Sequence, residues 1–159
     1  MDKVVVVGLR ALLIGLGLGC ILGQAVIIPV MASDLAREFP EVAFLQVPYT
    51  LVAVLIILCI EIAFVAVWRL LTMVAQEQIF AERAIPWVNT IVWAALVSTV
   101  LSVGCCMHLL FLINAGGPGV FLLMVAALIG GLAFSLIMVV MRGLLVTATR
   151  MRSELDEVI

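Results

Sequence analysis

Residues 84–141 read AIPWVNTIVWAALVSTVLSVGCCMHLLFLINAGGPGVFLLMVAALIGGLAFSLIMVVM, without one Asp, Glu, Lys or Arg. A membrane-spanning helix needs about 20 predominantly apolar residues, so this run is too long for one crossing and has to turn. Asn114-Ala115-Gly116-Gly117-Pro118-Gly119 is the turn signal. It divides the run into a third helix, about 87–113, and a fourth, about 119–141. The runs do not alternate in the ten-residue manner of barrel strands, so the fold class is all-α.

Toward the N-terminus, no charge interrupts residues 11–33, which gives a first helix at about 5–31. A second, at about 47–74, contains Glu61 and Arg69. The whole chain of 159 residues is 67% hydrophobic and 11% charged, with a mean hydropathy of +1.41. Soluble domains carry about 25% charged residues, and a domain this small exposes too much surface to hide such a composition from water. The expectation is one integral membrane domain over residues 1–159, a bundle of four transmembrane helices with the bilayer as its partner.

Positive charge orients the bundle. With the N-terminus inside, Lys3, Arg10, Arg69, Arg83, Arg142, Arg150 and Arg152 fall on the cytoplasmic side and only Arg37 outside. Both termini are therefore expected in the cytoplasm, with residues 143–159 as a cytoplasmic tail, either a helical extension or a frayed end. Lys3, Arg10 and the apolar run before Val30-Met31-Ala32 also resemble a secretory signal. The run exceeds the usual 7–15 apolar residues of such signals, so a retained span is expected. In the outer loop, Leu35, Phe39 and Val42 fall near helical spacing, which suggests a short surface helix that Pro40 bends or ends.

The net charge of -2 and the scattered cations suggest no direct nucleic-acid partner. Cys20, Cys59, Cys105 and Cys106 lie in apolar runs with no loop to staple, and read as small buried hydrophobes.

Glu61 is the most informative side chain. A carboxylate inside a spanning helix costs about 2.5–3.5 kcal/mol on insertion scales, so it is expected to be protonated, hydrogen-bonded or facing a wet cavity. It sits about 4–5 Å to the cytoplasmic side of the midplane at 1.5 Å per residue. Ser98, Thr99 and Ser135 share that depth and are its expected partners. A neutral Glu61 that merely ties two helices is the simpler alternative. His108 lies about 12 Å beyond the middle of its helix, too far out to pair with Glu61.

Gly15, Gly19 and Gly23 recur at every fourth position and place a small-residue face on the first helix, with Gln24 within a residue of it. The helix packed there belongs to this chain or to a second copy in a homo-oligomer. Gly130-Gly131 offers the fourth helix a similar approach. Cys105, Cys106 and His108 offer soft metal ligands, but a structural zinc takes four, usually in spaced pairs, and no second pair occurs. The expectation is no metal and no cofactor. Trp68, Trp87, Tyr49 and Phe121 lie near helix ends as interfacial anchors, and Arg69 and Arg142 are placed to snorkel to the interface.

The inner loop reads Gln78-Ile79-Phe80-Ala81-Glu82-Arg83-Ala84, with Asn89 at the start of the third helix. This resembles the bacterial membrane proteins grouped as domain of unknown function 2975, over nearly the whole chain and most specifically over Phe80 to Asn89. Glu77 and Gln78 stand where members often carry Gly. The resemblance implies a four-helix protein of the bacterial inner membrane, in some cases encoded beside a helix-turn-helix regulator, with Phe80, Glu82, Arg83 and Asn89 in the characteristic loop. It implies no established activity. No nucleophile–base pair or phosphate loop stands out, so an enzyme is not expected. Three roles are consistent with these features: a regulatory or sensory membrane protein working through a cytoplasmic partner, a small proton- or cation-coupled transporter or channel subunit using Glu61, or a structural subunit of a larger complex.

Overall fold

The computed structural model describes residues 3–38, 40–75, 82–114 and 117–156. Among them no strand occurs, and four helical spans are long and apolar enough to cross a membrane: Val4–Glu38, Ala43–Met73, Ile85–Leu112 and Pro118–Met151. The protein is a multi-pass membrane protein with an all-helical fold.

The first span is two helices joined by a π-helical turn. Helix α1 (Lys3–Leu22) runs into the turn Gly23–Ile27, and α2 (Ile28–Glu38) comes next. Proline accounts for the interruption. Pro29 has no N–H to give, and its ring would press on the carbonyl four residues back. The ladder widens just before it, and the Ile28 N–H bonds to the Gly23 carbonyl. The span also continues past Met31 to Glu38. About half of the expected outer loop is therefore an extension of the first span, not a separate surface helix. A 3-10 turn from Pro40 to Leu45 then leads into α3 (Gln46–Ala75).

After the 3-10 turn Glu82–Ala84 comes α4 (Ile85–Met107), with a proline in its first turn, where a missing N–H costs nothing. A second π-helical turn, His108–Leu112, closes this span. Asn114 is in the left-handed conformation at φ 56°, which Asn tolerates better than most residues. Helix α5 (Pro118–Asp156) then runs unbroken for 39 residues. The tail is thus helical as far as Asp156, and residues 157–159 lie outside the described part.

Neighbours in sequence are neighbours in space. Helix α4 packs between α3 and α5, while the first span rests chiefly on α3. The tightest seam is between α4 and α5. Thr99 is buried, and a Cβ built on Gly131 would run into its side chain. Gly131 therefore makes the close approach expected of the Gly130-Gly131 pair. Gly15, Gly19 and Gly23 do not, since a Cβ on any of them meets nothing within 4 Å. The glycine face of α1 has no partner within the described chain.

This contrast is testable. Gly131→Leu should destabilise the protein by about 1–3 kcal/mol, because the seam would be overpacked. Gly19→Leu should leave the melting temperature in detergent unchanged or slightly raised. Equal melting temperatures for the two variants would contradict the assignment of the seam.

Candidate intramembrane polar site

Glu61 faces the first span. Its Oε1 accepts a hydrogen bond from Gln24 Nε2 at 2.9 Å, between groups that are partly buried. Glu61, Trp68 and Thr72 recur at i, i+7 and i+11 and so lie on one face of α3. That face meets Arg10 as well. The Arg10 guanidinium donates to Thr72 Oγ1 at 3.2 Å and stands 5.4 Å from the centre of the Trp68 ring. Arg10 Nε is buried without a protein hydrogen-bond partner among the described residues. Arg10 and Gln24 are about 21 Å apart along the first span, and Thr72 and Glu61 about 17 Å apart along α3, at 1.5 Å per residue. The long reach of Arg10 takes up the difference.

The expected partners of Glu61 are engaged elsewhere. Ser98 and Thr99 donate to the Ala95 carbonyl at 3.0 and 2.7 Å, and Ser135 to the Gly131 carbonyl at 2.8 Å. Such back-bonding satisfies a hydroxyl within its own helix. The four residues therefore do not form one site. Ser98 and Thr99 border an open cavity of about 300 Å³ together with Cys59, Ile60, Ala63 and Gly131. Ile60 and Ala63 mark the face of α3 turned to α4 and α5, and Glu61 is on another. Depth alone could not separate these faces. The polar set Glu61, Trp68 and Thr72, with Gln24 opposite, was the signal available in the sequence.

A second polar contact lies toward the other end of α3. Tyr49 Oη and His108 Nδ1 are 2.7 Å apart, with ring centroids 6.0 Å apart. His108 thus pairs with Tyr49, away from Glu61. Cys106 is buried, Cys20, Cys59 and Cys105 are half-buried, and all four are free thiols. Among the described residues no three His, Cys, Asp or Glu come together as a metal site. Arg69 stands 5.6 Å from the centre of the Trp87 ring. Two of the expected anchors, Trp68 and Trp87, are therefore platforms for cations, a contact of about 0.5–2 kcal/mol. Arg83 is exposed and Asn89 half-buried, whereas Phe80 and the side chain of Glu82 lie outside the described residues.

Residues 30–159 match a family described as protein of unknown function (DUF2975). The chain belongs to this family. No curated protein and no solved structure matches it. The matched segment contains Glu61, Trp68 and Thr72, while their partners Gln24 and Arg10 precede it.

The hydrogen bond makes an asymmetric prediction. Gln24→Leu should cost about 1–3 kcal/mol, because it strips the carboxyl of its partner in an apolar setting. Adding Glu61→Leu should recover most of that loss, and Glu61→Gln should be tolerated, since an amide oxygen still accepts. A double variant as unstable as the sum of its single changes, measured by unfolding in detergent, would rule out the pairing.

Proposed function

We propose that this member of DUF2975 is a regulatory or sensory protein of the bacterial cytoplasmic membrane. In this reading both termini are inside, and the protein acts by binding a cytoplasmic partner, not by catalysis. The observation that carries the reading is the unbroken α5. At 1.5 Å per residue its 39 residues extend about 58 Å, against a hydrocarbon core of about 30 Å. Its apolar part ends near Met141, and about 20 Å of helix continues with Arg142 and Arg150 on it. A stiff rod fixed to α4 at one end carries a displacement in the membrane to its far end. The partner class proposed is a small helix-turn-helix regulator, on the strength of the family resemblance.

A second reading, a proton- or cation-coupled transporter or channel subunit, is favoured by Glu61 alone. The residue is half-buried on a spanning helix, where a structural tie would suffice with a neutral amide.

Three measurements test these readings. Reporter fusions at Met1, Val74 and Ile159 should read cytoplasmic and those at Phe39 and Gly116 external; one inner site reading outside breaks the topology. Photo-crosslinkers at Val146 and Thr147 in living cells should capture a small DNA-binding protein, and one at Phe44 should not. Absence of that adduct, together with proton flux in liposomes that Glu61→Gln abolishes, would replace the regulatory reading with the transport one.

A further inference from the structure

The contact between Tyr49 and His108 stands on the wall of an open groove of about 390 Å³ between α3 and α4. Val52, Val100, Leu101 and Gly104 supply most of the remaining wall. The volume falls in the range of about 300–1,000 Å³ usual for small-molecule sites. Gly104 holds the groove open, since a Cβ there would meet nothing within 4 Å. We propose that this groove binds a neutral lipophile carrying a carbonyl group, of the class of a one-ring quinone with an apolar tail.

Three features select that chemistry. The wall is apolar apart from the Tyr49–His108 pair and the Cys105 thiol beside it, so it suits an apolar body with one polar end. The pair always has a proton to spare. If the Tyr49 hydroxyl donates to Nδ1, the Nε2–H of the imidazole is free; if Nδ1–H donates to the hydroxyl oxygen, the phenolic proton is free. Either way the pair keeps one free donor, whose complement is an acceptor such as a carbonyl oxygen. The lining of the groove then disfavours an anionic head. None of the described residues that line it is Lys or Arg, so a carboxylate would enter without a counter-charge. A neutral carbonyl bears no such cost. His108 also opens the second π-helical turn, and such turns occur often at functional sites.

The site rests on its own geometry and needs no cytoplasmic partner, so its test is independent of the regulatory reading. Binding of radiolabelled decylubiquinone to the purified full chain in lipid nanodiscs should be saturable and close to one per chain. Unlabelled decylubiquinone should displace it. A tenfold excess of dodecylbenzene, which lacks the carbonyl, or of laurate, which is anionic, should not. The double variant Tyr49→Phe, His108→Leu removes both donors and should weaken binding about fivefold to tenfold. Gly104→Leu should abolish saturable binding while leaving thermal stability unchanged or raised, because the added side chain starts into open space on the groove wall. Displacement by dodecylbenzene or laurate as effective as by the quinone would overturn the proposal on the parent chain alone. Unchanged binding in a folded Gly104→Leu variant would overturn it equally.

Discussion

The hydrogen bond from Gln24 to Glu61 ties a nearly bare helix to the rest of the bundle. On α1 only Val6 and Leu13 are buried among the described side chains, and most of the others face outward. In water such a helix would be driven onto its neighbours by its own apolar surface. In a bilayer that force is missing, because lipid tails are as apolar as leucine. The first span is then held to α3 by a few specific contacts: Gln24 on Glu61, and Arg10 on Thr72 and Trp68. Each is worth on the order of 1 kcal/mol, and together they fix register at two depths. The α4–α5 seam is joined differently, by the close fit of Thr99 against Gly131.

The two π-helical turns share a feature. Each contains one side chain of a bond between spans, Gln24 in the first and His108 in the second. A π-helical turn adds one residue to a helix and rotates the downstream residues by about 100°, so it re-aims a side chain without breaking the span. In the first turn the cause is Pro29. In the second the chain is about to end its helix at Asn114. Local backbone chemistry and the placement of polar side chains are thereby linked.

The architecture was legible because hydrocarbon permits so little. A charge-free run from 84 to 141 interrupted by Asn114 to Gly119 has few outcomes other than two helices and a turn. The site was legible only in part. Glu61 announces itself by its cost, but its depth matched three hydroxyls that prove to bond within their own helices. Which face of α3 meets which neighbour depends on packing between helices of almost uniform apolarity, and periodicity says little there. The paired roles of Trp68 and Trp87 were hidden for a related reason, since an interfacial Trp and a cation platform look alike in sequence. The length of the first span was underestimated because Asp34, Arg37 and Glu38 suggest a loop, while the residues around them favour continued helix.

The tie between the first span and α3 joins residues before the family-matched segment to residues within it. Solid-state NMR on the protein in lipid bilayers addresses its existence without intermediaries. With glutamine labelled at Nε2 and glutamate at Cδ, the structure predicts a through-space cross peak between Gln24 and Glu61, as a 2.9 Å N···O contact requires, and its disappearance in Gln24→Leu. A spectrum without that peak, from protein that remains helical and folded, would refute the tie and with it the packing of the first span described above.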